Sequence, residues 1–114
     1  LVNLKLNLDF RNNFEIETIN YKKSKNSIAN LYLHLEKKKN NIRIIELNIK
    51  EGDSSIKINE LNFKKNKFSS LKKIEVKTKT NDFSIKNEKK YIIKGTKFDA
   101  SNLFKSISKS NNPN

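Results

Sequence analysis

The strict alternation of apolar and polar residues from Val2 to Phe10 is the feature that most limits what this chain can fold into. Successive side chains of a β-strand point to opposite faces, so a period of two gives the strand one apolar face and one polar face. The segment is therefore predicted to be a half-buried strand. Its apolar side chains are Val2, Leu4, Leu6, Leu8 and Phe10.

The same period returns along the rest of the chain, between short polar turns. Changes of phase at Ile19, between Ile44 and Ile45, and near Glu60 predict β-bulges. No helical segment separates the strands, which favours an antiparallel meander over a β-α-β arrangement. The later strand-like segments are Phe14 to Ile16, Ala29 to Leu35, Ile42 to Ile49, Ile56 to Phe63, Phe68 to Thr78, Phe83 to Ile85 and Tyr91 to Phe98.

We therefore predict an all-β fold: an antiparallel meander that forms a single curved sheet, either an open groove or a half-barrel, with one short C-terminal helix. Asp99 or Ser101 is expected to cap that helix. Residues 1–107 are predicted to be one β-sheet segment of a larger protein, because the sequence starts inside an alternating pattern. Residues 108–114, rich in Ser and Asn, are predicted to be a linker.

The net charge of +13 raises the possibility of a nucleic-acid partner. The cations are 23 Lys and only 2 Arg, accompanied by 19 Asn and 14 Ile. Nucleic-acid surfaces favour arginine and interleaved aromatic residues, and neither feature is visible. We therefore expect no nucleic acid and attribute the lysines to solvated faces and turns. A single-strand binder that stacks bases on Tyr21, Tyr32 and Tyr91 stays open as an alternative.

Residues that could carry catalysis are scarce. The chain has no Cys and a single histidine, His34, with no partner residue at a recognisable spacing. We predict that the protein is not an enzyme, with no catalytic residues, no metal site and no cofactor. What needs explanation is the apolar face of the sheet, because large exposed apolar patches are uncommon on soluble proteins.

The segment from Ile93 to Leu103, with the sequence IKGTKFDASNL, carries a resemblance to a known family. A strand, a glycine, a hydrophobic residue, Asp-Ala and then Leu follow a long series of strands rich in Lys, Asn and Ile. The combination resembles the AsmA-like family of large bacterial envelope proteins, which includes the AsmA, TamB and YhdP types. The resemblance extends over roughly Leu8 to Ile107.

The resemblance implies a long curved sheet whose concave side is a hydrophobic groove for phospholipid acyl chains moving between the inner and outer membranes. It implies a location in the periplasm and cell envelope, with the parent protein attached to the inner membrane by an anchor outside this segment. The expected partners are phospholipid acyl chains and the remaining strands of the parent chain. Gly95, Phe98, Asp99 and Leu103 would be structural residues of the closing motif. The expected groove lining is Leu4, Leu6, Leu8, Leu31, Leu33, Leu47, Ile49, Ile56, Ile58, Ile74, Val76 and Ile93.

One further alternative is a closed eight-stranded barrel that holds a single lipophilic ligand. It requires the first strand, Val2 to Phe10, to pair with the last, Tyr91 to Phe98.

Overall fold

The computed structural model describes residues 1–17 and 21–97, and it confirms the predicted all-β antiparallel class. Among these residues there is no α-helix. The helix predicted to begin at Asp99 or Ser101 lies outside the described residues, as do Phe98 and Leu103. The strands are β1 (Val2–Phe10), β2 (Phe14–Ile16), β3 (Tyr21–Lys23), β4 (Ala29–Lys38), β5 (Asn41–Glu51), β6 (Ser54–Lys64), β7 (Lys67–Lys77), β8 (Asp82–Glu88) and β9 (Lys90–Lys97).

Seven strands form one open sheet in the order β1-β4-β5-β6-β7-β8-β9. From β4 onward the chain is the predicted meander, with each strand antiparallel to the one before it. The closed barrel needed β1 to pair with β9. Among the described residues β1 pairs with β4 alone and β9 with β8 alone, so both remain edge strands.

The prediction of a single sheet is wrong at one place, because β2 and β3 leave the large sheet and form a small sheet of their own. Each of these strands has only three residues. Their apolar side chains instead pack on the core, and the rings of Phe14 and Tyr21 meet edge to face at 5.6 Å between centroids. β1 is thereby left to pair directly with β4.

Tight turns connect the long strands and require residues with positive φ. Gly52 lies between β5 and β6 with φ of 55°, and Lys65 and Asn66 lie between β6 and β7 with φ of 52° and 64°. Positive φ at both central residues of a two-residue turn matches the right-handed twist of the paired strands. The Lys65 amide also donates to the Asn40 carbonyl at 3.0 Å, which ties this turn to the one between β4 and β5.

In β5, β6 and β7 the alternation of apolar and polar residues changes phase at matching positions. Apolar residues stand three positions apart at matching points of the three strands, in pairs 44 and 47, 58 and 61, and 71 and 74. Glu60 has φ of 54° at this point, and the β4–β5 register shifts between His34 and Leu35. The changes of phase predicted at Ile44 and at Glu60 are thus parts of one irregularity. Because neighbouring strands shift together, the buried cluster continues across it and includes residues on both sides.

The hydrophobic core lies on the apolar face, mainly over β5 to β8. Phe14, Ile16, Leu31, Leu47, Ile58, Leu61, Phe68 and Tyr91 pack around it. The buried cluster itself is Tyr21, Ile49, Ile56, Leu71, Ile74, Val76, Phe83 and Ile85.

Candidate functional site

The candidate site is the apolar face of the large sheet, where facing residues of adjacent strands line up in rows. One row crosses all seven strands without a polar residue. A second row runs from Leu8 through Leu31, Ile49, Ile56 and Val76 to Phe83. The first row is Leu6, Leu33, Leu47, Ile58, Ile74, Ile85 and Ile93.

These rows bring the residues of the predicted groove lining onto one face, but the face is not uniformly accessible. On β1, Val2, Leu4 and Leu8 keep 56%, 42% and 36% of their surface exposed, and Ile93 on β9 keeps 46%. Leu6, Leu31, Leu33, Leu47 and Ile58 are half-buried. The other four lining residues, Ile49, Ile56, Ile74 and Val76, are buried in the core. The larger accessible part of the face is therefore the side that includes β1, β4 and the outer half of β5, and Ile93 is accessible on the opposite edge strand, β9.

The small β2–β3 hairpin is held on the sheet by a polar contact at the end of β5. The Tyr21 hydroxyl and the Ser27 hydroxyl each donate a hydrogen bond to the carboxylate of Glu51. Burial opposes ionisation of Glu51, but these two hydrogen bonds and the nearby charge of Lys23 outweigh it and keep the pKa of the carboxyl below its ordinary value. Burial, together with the anionic Glu51, raises the pKa of the Tyr21 hydroxyl.

Lys23 is a buried cation next to this contact, with 2% of its surface exposed. Its ammonium group donates to the carbonyls of Arg11, Ser24 and Ser27 at 2.8, 2.8 and 2.5 Å. The same nitrogen lies 5.4 Å from the centre of the Phe10 ring. Three acceptors use all three donors of the ammonium, which is the condition for burying such a charge. Lys23 thus joins the end of β1 to the hairpin and to the chain that enters β4.

Sequence reasoning missed the Lys23 and Glu51 contacts. Lys22 to Asn26 have the composition of a solvated loop, and Glu51 stands next to a glycine turn, so periodicity carries no signal for either. The change of phase before Tyr21 is the one local sign that the chain leaves the sheet here.

Gly95 lies where β9 passes closest to β8, next to a shift of register between Asp82 and Phe83. A Cβ atom at this position would stand 2.2 Å from the Asp82 carbonyl oxygen and 2.5 Å from the Phe83 Cα. Both contacts are with backbone, so a side chain at this position requires the strands to separate. The position requires glycine for a packing reason, whatever the origin of the motif.

The opposite face of the sheet is polar, and several of its side chains form hydrogen bonds or ion pairs with side chains of neighbouring strands. Arg43 makes a two-pronged contact with Glu60 at 2.6 and 2.9 Å, which lowers the pKa of that carboxyl. His34 lies within hydrogen-bond distance of the Asn3 amide oxygen, at 3.1 Å. Tyr32 belongs to this face, since it pairs with Asn7 and Asn48, whereas Tyr21 and Tyr91 pack with the core. The three tyrosines therefore do not form one stacking surface for nucleic-acid bases.

Outside the apolar face, the described residues offer little that could form another kind of site. Within residues 1–17 and 21–97, no group of three or more His, Asp or Glu residues is placed to hold a metal ion. The described part of the chain also contains no helix that is long and apolar enough to cross a membrane. A shallow depression of about 380 Å³ lies at the ends of the strands that carry Lys38 and Lys64, away from the accessible part of the apolar face.

No family model, no curated protein and no solved structure matches this chain. The features that bear on function are therefore the geometry of the apolar face and the resemblance described above.

Proposed function

We propose that this chain is a non-enzymatic segment of an AsmA-like envelope protein, in which the apolar face of the sheet forms part of a groove that shelters phospholipid tails. In this proposal the apolar face is the concave side of a curved sheet, and the parent protein lies in the periplasm, anchored in the inner membrane. The observation that supports it is the unbroken apolar row across all seven strands.

The length of the row can be compared with that of an acyl chain. Seven strands spaced about 4.8 Å apart give a row about 29 Å long. One leaflet of a bilayer has a hydrocarbon layer about 15 Å thick, half of the usual core. Because Ile74 and Ile85 of the row are buried, a tail can contact only its accessible part on β1, β4 and β5, about 10 Å long, where the aliphatic lining requires no particular headgroup.

The energetics favour such a surface. Each methylene group exposed to water costs about 0.8 kcal/mol, so a chain of about sixteen carbons faces a barrier on the order of 10 kcal/mol in an aqueous gap. Contact with Leu6, Leu8, Leu31 and Leu33 removes part of that exposure. These residues lie on the accessible side of the face.

The test uses two double variants of β1 that carry the same added charge on opposite faces. The Leu4→Lys and Leu8→Lys substitutions change exposed positions of the apolar face, and Asn3→Lys and Asn7→Lys change the polar face of the same strand. After incubation with phospholipid vesicles and purification, mass spectrometry measures bound lipid. We expect lipid on the wild type and on the Asn3/Asn7 variant, and little on the Leu4/Leu8 variant.

Thermal melting monitored by circular dichroism shows whether both variants stay folded. If the wild type takes up no phospholipid, or if both variants lose it equally, the proposal is wrong.

A further inference from the structure

The topology collects the lysine-rich turns of the large sheet at one end. The strands β4, β6 and β8 all run toward this end, and β5, β7 and β9 all start from it. The β4–β5 and β6–β7 turns lie level with each other, because Asn41 pairs with Lys64 and Lys64 with Lys67. The β8–β9 turn is set back by about 10 Å, because Lys86 pairs with Lys73 and Glu88 is therefore level with Leu71 rather than with Lys67. The cations of the three turns are Lys37, Lys38, Lys39, Lys64, Lys65, Lys67, Lys89 and Lys90, which we call the lysine end.

Two features make the lysine end a single surface. The Lys65 amide donates to the Asn40 carbonyl at 3.0 Å, so the first two turns are in direct contact. Adjacent turns are separated by two strand spacings, about 10 Å, so the six lysines of the first two turns form one band, and Lys89 and Lys90 continue it at a position set back along the strands. This band follows the direction of the apolar rows.

The charge of the lysine end is not neutralised within the described part of the chain. All eight lysines are exposed, and none of them takes part in an ion pair there. The nearby acid Glu88 is paired with Lys86 at 3.5 Å, and Glu36 with Arg43 at 3.6 Å.

The opposite end of the sheet carries acidic as well as basic side chains. It carries acids from several turns and strand ends, among them Asp9, Glu51, Asp53 and Asp82, interspersed with its lysines. An eleven-residue strand such as β6 separates the two ends by about 35 Å. That distance is several times the Debye length of about 8 Å at physiological salt, so the ends act independently on a charged partner.

Apolar side chains stand next to the lysine end. Val2 is exposed, and Ile42, Phe63 and Phe68 are half-buried in the row nearest the turns. The depression of about 380 Å³ also lies here, and its lining is mostly polar, with Glu36 and Arg43 beside the apolar residues Ile42 and Phe63. Cations bordered by apolar groups match the boundary between lipid headgroups and acyl chains.

We propose that the lysine end docks on an anionic lipid surface, so that the strands stand upright on the bilayer and the apolar rows lie parallel to it. Lysine suits this partner because diffuse attraction to many headgroups needs point charges rather than bidentate geometry. The inference does not depend on the apolar face carrying lipid tails. In this orientation the apolar rows run along the bilayer, so docking and a groove that leads from the inner to the outer membrane exclude each other for this segment. Either proposal can fail without the other, since one is tested by docking and the other by bound lipid.

The test is sedimentation with vesicles of phosphatidylcholine alone or mixed with phosphatidylglycerol. We expect binding to the mixed vesicles only, and a loss of that binding as salt is raised. Replacing Lys37, Lys38 and Lys39 by Gln is expected to weaken it on the order of 100-fold, at about fivefold for each charge. The matched variant replaces Lys25, Lys77 and Lys97, three exposed lysines at the opposite end, and is expected to stay within about threefold of the wild type.

A second measurement reports orientation. Because the chain has no Cys, Asn40→Cys and Asp53→Cys each provide a single attachment point for a polarity-sensitive fluorophore at opposite ends of the sheet. We expect the label at position 40 to shift its emission with mixed vesicles and the label at position 53 to remain unchanged.

The proposal is overturned if mixed vesicles do not bind at low salt, or if both triple variants weaken binding equally. It is also overturned if a single-stranded oligonucleotide binds more tightly than the mixed vesicles and the Lys37 to Lys39 variant removes that binding, since the lysine end would then be a nucleic-acid surface.

Discussion

β8 and β1 carry the same kind of apolar side chain on the same face of one sheet, yet they have opposite environments. Phe83 and Ile85 of β8 keep at most 3% of their surface exposed, whereas Val2, Leu4 and Leu8 of β1 keep at least 36%. The alternation decides which way a side chain points, but what packs over it decides whether it is buried. β8 is an inner strand whose apolar side chains belong to the buried cluster, whereas β1 is an edge strand.

The largest expected contrast is in thermodynamic stability. Ile85→Ala removes a fully buried side chain and should lower the free energy of unfolding by about 3 to 4 kcal/mol. Leu4→Ala removes a side chain that is 42% exposed and should cost about 1 kcal/mol or less. Urea denaturation of the two variants measures both values. Equal costs would mean that β1 is as well covered in solution as β8.

The next contrast compares two glycines, Gly95 beside β8 and Gly52 in the turn between β5 and β6. Gly95→Ala places a Cβ against the backbone of Asp82 and Phe83 and should destabilise the protein by about 2 to 3 kcal/mol. Gly52→Ala is the matched control, because its added Cβ meets nothing within 4 Å and φ is 55°. It should cost about 1 kcal/mol, the ordinary penalty for a left-handed residue. A smaller effect at position 95 than at position 52 would show that β9 moves freely away from β8.

Lys23 is the buried cation that joins the β2–β3 hairpin to the end of β1, and its contribution to stability can be measured by substitution. Lys23→Met keeps the aliphatic stem but leaves the carbonyls of Arg11, Ser24 and Ser27 without their donor. We expect a loss of about 2 kcal/mol in unfolding free energy. Lys22→Met changes the exposed neighbour and should stay within about 0.5 kcal/mol of the wild type. If both variants behave alike, Lys23 does not hold the hairpin.

The smallest expected effect is a dependence on pH. The fold lowers the pKa of Glu51, so ionised Glu51 favours the folded state above the unfolded pKa of about 4.3. That contribution is lost as the pH falls through the lower folded value. The difference in melting temperature between the wild type and Glu51→Gln should therefore be constant near neutral pH and shrink below about pH 4. Glu17→Gln, on an exposed residue, serves as the control and should reproduce the wild-type profile.

Local pattern was sufficient to predict the strands of the large sheet. β1 was predicted residue by residue from its period of two, and the changes of phase at Ile44 and Glu60 correspond to a real irregularity. The departure of β2 and β3 from the sheet, the burial of Lys23 and the unequal covering of the apolar face were not predicted. Each of these depends on contacts between residues far apart in the chain, which periodicity does not record.

The two edge strands of the sheet, β1 and β9, determine how further strands could be added to it. Because β1 and β9 leave their outer hydrogen-bonding groups unpaired among the described residues, a new strand on either side needs no rearrangement of the strands already present. A strand added in register beside β1 would lengthen both apolar rows by one side chain, and one added beside β9 would lengthen the row that ends at Ile93. The length of an apolar row therefore depends on the number of strands in the sheet and not on the sequence of any single strand.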